Sequence, residues 1–434
     1  MEIILALLFT VVLGFVVKHI FFPFRNVNEP PCIRGCIPWF GAAFKFGKAP
    51  LEFIKQARLK YGPVFTVYML GKRYTFVTDE EGFQAFCTSK DVDFEQAVQQ
   101  SVQHTASIPE EIFYKNRSRL YIMMKGRLST SNLQHMPRSL CQELQKHMED
   151  LGHEGTEELR DLVRHIMFPS TVNTLFGKDI FLTTRDNVKE FEEHYQNFDD
   201  DFEYATQLPK YFLKKWSKSK KWLLKSFEKV VLHAEETNPS DDSSKVSFWT
   251  LAFILSQPSV YKKVMDELEP VYRKSGKENI QLSEDDLKKF PFIKWCILET
   301  IRLRAPGAII KKVITPMTIQ NFVIPAGDLL ALSPYWIHRN PKYFPEPNTF
   351  KPDRWKEANL EKNVSLEGFV AFGGGGHQCP GRWFAIMEIQ ILVAMLLCKY
   401  ECHLLDPLPK ESLLHLVGTQ QPEGPCRIQY KLRI

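Results

Sequence analysis

The feature that most constrains this 434-residue chain is the run Phe372-Gly373-Gly374-Gly375-Gly376-His377-Gln378-Cys379-Pro380-Gly381, followed at once by the apolar stretch Arg382 to Leu397. Glycines let the backbone adopt positive φ, approach a flat ligand closely and aim amide N–H groups at a sulfur anion. Pro380 stands where the first residue of a helix belongs. Cys379 is therefore expected at a helix N-terminus, where the helix dipole favours thiolate over thiol. A thiolate so placed is a good iron ligand, and Cys379 is the candidate metal ligand of the chain.

The other cysteines do not compete for that role. Nine cysteines without framework spacing fit a reducing compartment better than a disulfide-stapled fold. Cys32 and Cys36 form an isolated C-x-x-x-C beside prolines, with no second ligand pair near it. The net charge of +5 is modest for this length and gives no warrant for a nucleic-acid partner.

At the N-terminus, Ile3 to Val17 is uncharged and apolar, and the apolar character resumes at Ile20, Phe21 and Phe22. Counting through Lys18 and His19, which can snorkel, the run reaches the roughly 20 residues a bilayer requires. Lys18 and Arg25 lie on its C-terminal side, and no small-x-small cleavage site follows. Residues 1–24 are thus expected to form a transmembrane signal anchor with the body cytosolic, rather than a cleaved leader. Residues 25–40, with Pro30, Pro31 and Pro38, read as a stiff connector, and 41–434 as one large domain.

Within that domain, Val64 to Leu70, the turn residue Gly71 and Tyr74 to Thr78 alternate as a hairpin. A second β-rich patch runs from Thr318 through Pro325-Ala326-Gly327 to Leu332. Helical periodicity dominates elsewhere, as in Asp285 to Leu303. The expected fold is mainly α with small β-sheets. Tyr211 to Val230 interleaves Lys214, Lys215, Lys218, Lys220, Lys221 and Lys225 with Trp216, Trp222, Leu223, Leu224 and Phe227, which reads either as a membrane-touching helix or as a solvated face over a core.

Two further segments agree with the cysteine loop. Glu299-Thr300-Ile301-Arg302 places opposite charges at i and i+3 on one helix face. Further on comes His338-Arg339-Asn340-Pro341-Lys342-Tyr343-Phe344-Pro345-Glu346-Pro347, then Phe350-Lys351-Pro352-Asp353-Arg354-Trp355. Together with F-x-x-G-x-H/R-x-C-x-G these resemble the haem loop, E-x-x-R helix and meander of the cytochromes P-450. The resemblance implies the cytochrome P-450 fold behind one N-terminal membrane helix. It implies that Cys379 is the axial ligand of a haem b iron, that Phe372 packs near the sulfur, that His377 meets a haem propionate, and that Gly375 and Gly381 shape the loop. Arg354 is expected to join Glu299 and Arg302 in a buried network holding that loop, where loss of one member costs about 3–5 kcal/mol. Lys311 matches the position of a second propionate-binding base.

The activity implied is insertion of one atom of O₂ into an unactivated C–H. No G-x-G-x-x-G fingerprint occurs, so electrons are expected from NADPH through a separate cytochrome P-450 reductase. Lys115, Arg117, Arg119, Lys125 and Arg127 stand where such a partner would dock. Among the branches of the family, the chain looks most like the oxysterol 7α-hydroxylases of the endoplasmic reticulum, through Lys48 to Phe53, Trp216 to Trp222, Gln421 to Gly424 and Tyr430 to Ile434. That implies a sterol substrate such as 24-hydroxycholesterol, in cholesterol catabolism and bile-acid synthesis.

Two departures stand out. The family's W-x-x-x-R is absent from Tyr114 to Arg127, and the distal A/G-G-x-D/E-T is not found. Reading back from Phe248-Trp249-Thr250-Leu251, that motif should fall at Asn238-Pro239-Ser240-Asp241-Asp242, so no catalytic acid-alcohol pair is assigned and the chain reads as shortened between 233 and 248. A haem-thiolate isomerase of lipid peroxides, which needs neither reductase nor relay, and a catalytically inactive shortened form are the competing readings.

Overall fold

The computed structural model describes residues 14, 28–37, 39–176, 185–206, 210–231, 242–275, 280–358, 367–373, 378–414, 416 and 418–433. The anchor expected at 1–24 lies outside these, apart from Gly14, and no helix among the described residues is long and apolar enough to cross a membrane. The architecture is mainly helical with small sheets, as expected. The chain divides into two compact units, one of residues 1–98 with 309–333 and the other of 99–308 with 334–434.

The smaller unit is built on a six-stranded sheet in the spatial order Cys32–Ile33, Val64–Met69, Lys72–Val77, Leu329–Leu332, Ile309–Val313, Val92–Asp93. The predicted hairpin is its centre, paired from Val64↔Val77 to Met69↔Lys72. Only Leu70 and Gly71 remain for the turn, and both have positive φ (52° and 75°), the geometry that matches the right-handed twist of the flanking strands. The second β-rich patch forms the small hairpin Met317–Ile319 with Phe322–Ile324, and then the sheet strand Leu329–Leu332.

In the larger unit the helix Arg382–Lys399 is the hub. Its side chains are buried all round from Ile386 to Cys398, as suits a helix with no polar stripe. Helices Met136–Glu149, Asp242–Ser256 and Pro291–Arg304 pack against it. A three-stranded antiparallel sheet, Tyr400–Leu404, Arg427–Leu432 and Glu154–Glu158, follows from its C-terminus.

Two helix boundaries differ from the sequence reading. The helix expected over Asp285 to Leu303 is two helices, Glu284–Leu287 and Pro291–Arg304. Ser283 and Asp286 close a capping box on the first. Phe290 before Pro291 is forced out of helical geometry (φ −112°, ψ 54°), so the second must start afresh at the proline. The helix after the cysteine loop starts at Arg382 rather than Pro380, with Gly381 as N-cap.

The basic stretch forms the helix Lys214–Val231, and its apolar side is covered by protein. Trp216 and Leu223 are buried, and the helix packs on Arg185–Asp200. Lys220 is not part of a solvated face. It is buried, its ammonium is bound to the carbonyl of His104, and burial lowers its pKa to about 8.

Candidate functional site

The cysteine loop is described at both ends, with Gly374, Gly375, Gly376 and His377 outside the described residues. The Cys379 N–H donates to the carbonyl of Phe372 at 2.9 Å, which closes the loop and brings the two residues together. Gly373 has φ 78°, a conformation that favours glycine. The Arg382 guanidinium, at the first turn of the following helix, donates to the Cys379 carbonyl at 2.9 Å. Cys379 is thus anchored on both sides of its α-carbon while the residue stays exposed.

Five other cysteines differ from Cys379 in burial. Cys141, Cys296, Cys398, Cys402 and Cys426 are buried, and desolvation pushes their thiols up, Cys141 to about 11 and Cys398, Cys402 and Cys426 to about 12. They are inert packing groups. Among the described residues no group of three or more His, Cys, Asp or Glu side chains is placed to hold a metal ion. A single accessible thiol beside a helix N-terminus suits a metal that brings its own equatorial ligands, and haem iron is such a metal. The donor set therefore fits the group that the sequence implies.

Behind the loop lies the network expected of Glu299, Arg302 and Arg354. Glu299 and Arg302 have fully buried side chains one helical turn apart and share two hydrogen bonds of 2.8 and 2.9 Å. Arg354 Nε donates to Glu299 Oε1 at 3.0 Å. Sequence reasoning missed two members. Trp355 Nε1 donates to Glu299 Oε2 at 3.0 Å, and His338 receives Arg302 Nη1 on its carbonyl at 2.6 Å. The His338 ring then accepts the N–H of Val370 at Nε2 (3.1 Å), and Gly373 N–H in turn donates to the Val370 carbonyl at 3.0 Å. The ion pair is thereby joined to the cysteine loop. Burial, followed by the Arg339 and Arg302 charges, pushes the His338 imidazole down to about 3, so it stays a neutral acceptor.

Of the basic residues expected to dock a partner, Lys115, Arg119, Lys125 and Arg127 are exposed on the helix Glu110–Arg127. Arg117 is half-buried and lies over the Phe113 ring at 5.0 Å. The helix touches the cysteine loop directly, since Tyr121 Oη donates to the Gln378 carbonyl at 3.3 Å, with Lys125 one turn further on. Lys311 belongs to the smaller unit. Its ammonium donates to the Phe86 carbonyl at 2.8 Å and lies over that ring, so the structure shows it engaged within its own sheet region.

The loop, the buried ion pair behind it and the basic helix beside it define a haem-thiolate protein, and the family comparison agrees. The chain belongs to the cytochrome P450 family, whose model matches residues 30–240 and 239–427. It is 50% identical to the 24-hydroxycholesterol 7-alpha-hydroxylase of Homo sapiens over 460 aligned positions, covering 98% of each chain. Identity to the 24-hydroxycholesterol 7-alpha-hydroxylase of Mus musculus is 50% over 456 positions, with 97% of each covered. The lanosterol 14-alpha demethylase of Homo sapiens is more distant, at 25% over 455 positions, covering 94% of this chain and 87% of the relative. The first alignment, at 460 positions, is longer than the 434-residue chain, so the relative carries residues for which this chain has none.

Proposed function

We propose that the protein is a membrane-anchored oxysterol 7α-hydroxylase, acting on a side-chain-hydroxylated sterol such as 24-hydroxycholesterol. The observation that carries this is the 50% identity to hydroxylases of that name over nearly the whole of both chains. In this reading Cys379 would supply the thiolate that ligates the iron of haem b, and Phe372, Gly375, His377 and Gly381 would form the loop that holds the group, with His377 as the expected partner of a propionate. Lys311 as the second propionate base would have to leave the Phe86 carbonyl. When bound, the haem supplies the oxidising chemistry that inserts one oxygen atom of O₂ into the sterol C–H.

The chain's own residues do the holding. Glu299, Arg302, Arg354, Trp355 and His338 fix the loop, so that the thiol meets the metal in one geometry. The exposed charges of Glu110–Arg127 offer an acidic reductase a landing surface beside the cysteine loop, through which NADPH-derived electrons would enter. Residues 1–24 would hold the body at the endoplasmic reticulum membrane, facing the cytosol.

The test is the reduced carbon-monoxide difference spectrum of the membrane-expressed chain, followed by turnover of 24-hydroxycholesterol with reductase and NADPH. A thiolate-type Soret band and a 7α-hydroxylated product are expected. A haem-loaded protein that leaves every oxysterol untouched would refute the assignment. A second reading, a shortened form that binds haem without hydroxylating, is favoured by the break of the family match at residues 239–240 and by the length of the first alignment. Haem binding without turnover is the outcome that selects it.

A further inference from the structure

At the C-terminal end of the helix Pro291–Arg304, one carbonyl receives two arginines. Arg339 Nη2 donates to the Leu303 oxygen at 2.8 Å, and Arg304 Nη1 donates to the same oxygen at 3.3 Å. Two guanidinium nitrogens are thus separated by no more than those two lengths together. One cation at a helix C-terminus is favourable, because it meets the negative end of the dipole. A second beside it repels the first, and the helix end has nothing further to offer it.

The surroundings do not balance this pair. Arg304 is only 8% exposed, its guanidinium lies over the rings of Trp249 and Phe253, and its buried Nε has no hydrogen-bond partner. Arg339 lies over the Tyr335 ring at 3.9 Å and pairs with no carboxylate among the described residues. Glu299 is already shared by Arg302 and Arg354. That leaves Glu411, whose Oε2 is 3.4 Å from Arg304 Nη2 and whose side chain is 34% exposed. One loosely held carboxylate therefore faces two guanidinium groups. Burial, with the Arg304 and Arg302 charges, pushes the Arg339 pKa down to about 10, in keeping with that shortage of negative charge. Guanidinium groups are planar forks of N–H donors that match the oxygens of a phosphate or sulfate group. Both arginines have donors to spare, since each makes one hydrogen bond to Leu303 and Arg304 adds only the loose contact to Glu411. Trp249 and Phe253 close the inner side, while half-buried Arg339 and Glu411 leave the outer side open to a small ion.

We propose that Arg304 and Arg339 form an oxyanion site, taking a phosphate or sulfate group against the C-terminal end of the helix that carries Glu299 and Arg302. The occupant neutralises the pair and holds the end of that helix, while Glu411, of like charge to the occupant, turns outward. The site stands apart from the haem-thiolate reading and needs no cofactor.

The test is equilibrium dialysis of radiolabelled inorganic phosphate against the full chain in a non-ionic detergent, with ionic strength held by potassium gluconate. Saturable binding of one phosphate per chain is expected. Arg339→Gln should weaken it by on the order of tenfold or more, and Glu411→Gln, which removes a competing negative charge, should tighten it by on the order of tenfold. Equal binding by wild type and both variants overturns the proposal, since it would mark a general salt effect. Should Arg339→Gln not accumulate, Glu411→Gln decides: tighter binding supports the site, and unchanged or weaker binding overturns it. Phenyl phosphate in the same dialysis separates the sources of the group. Retention of the ester alone assigns the site to an esterified ligand, retention of inorganic phosphate assigns it to the free ion, and retention of neither overturns it. No turnover enters the readout, so failure here leaves the hydroxylase reading standing, and failure of that reading leaves the oxyanion site to be judged by dialysis.

Discussion

Replacing Glu299 by Gln is the sharpest single test of the scaffold behind Cys379. Oε1 of Glu299 accepts from Arg302 Nη2 (2.8 Å), the Lys351 N–H (3.0 Å) and Arg354 Nε (3.0 Å), while Oε2 accepts from Arg302 Nε (2.9 Å) and Trp355 Nε1 (3.0 Å). Every partner is a donor. A glutamine must turn its NH₂ toward one of these sets, and the better choice faces Arg302 Nε and Trp355 Nε1. Two hydrogen bonds are then lost, and a fully buried guanidinium and one only 8% exposed lose their counter-charge. At about 1.5–3 kcal/mol for each bond to a charged group, the expected loss is roughly 3–5 kcal/mol, the range found for stranding a buried ion. That is a large part of the about 5–15 kcal/mol that holds a typical protein folded. Urea unfolding followed by tryptophan fluorescence reads the stability, and the reduced carbon-monoxide band of the expressed variant reads haem retention. A variant within about 1 kcal/mol of wild type with full haem content would refute the argument that this carboxylate neutralises the network.

Cys379→Ser should abolish the thiolate-type carbon-monoxide band while leaving the far-ultraviolet circular dichroism unchanged, and an intact band would remove Cys379 from the site. Arg119→Glu with Lys125→Glu should slow reduction by the reductase and weaken its salt dependence at constant haem content, since both residues are exposed on the helix that touches the cysteine loop. His338 predicts an acid sensitivity. Its pKa is about 3 in the folded chain against about 6.5 for an ordinary histidine, so between these values the unfolded chain binds a proton that the folded chain does not. Stability should therefore fall as pH drops from 6.5 towards 3, by roughly 4–5 kcal/mol at the end of that window. His338→Gln, which keeps an acceptor for the Val370 N–H, should flatten the pH dependence. An equally steep profile in the variant would assign the acid sensitivity to other groups.

The parts of this molecule legible in the sequence are those where chemistry demands a residue type at a fixed spacing. Cys379 with its glycines, and Glu299 with Arg302, are of that kind. The hairpin at Gly71 was legible because alternation and a turn residue coincide. Trp355 stands out in the sequence only as part of a motif, since nothing local tells an indole N–H that its acceptor lies on a helix more than fifty residues earlier. His338 was hidden for the same reason. The strand Glu154–Glu158 has no apolar alternation at all and exists because Arg427–Leu432 offers it a ladder from Glu154↔Lys431 to Glu158↔Arg427. Glu388 sits in so apolar a run that sequence alone marks it as an isolated charge, and only the structure shows the Thr171 hydroxyl donating to its carboxyl.

The helix Asp242–Ser256 decides how far a shortening before it can reach. Its residues Phe248, Trp249, Leu251, Ala252, Phe253 and Ile254 are buried, and it packs against Leu159–Phe176, Pro291–Arg304 and Arg382–Lys399. Trp249 Nε1 donates to the Gln420 carbonyl at 2.7 Å, and the Arg304 guanidinium covers the rings of Trp249 and Phe253 at 4.5 and 4.9 Å. Apart from the contact with Leu159–Phe176, these anchors lie downstream of residue 242. A helix held by so many later partners keeps its place whatever immediately precedes it, because the apolar area it buries is shared with helices on three sides. The cysteine loop draws its support from Glu299, His338 and Arg354, which are also downstream. Residues after 242 therefore hold both this helix and the cysteine loop, and haem retention is expected to survive a shortening that ends before the helix.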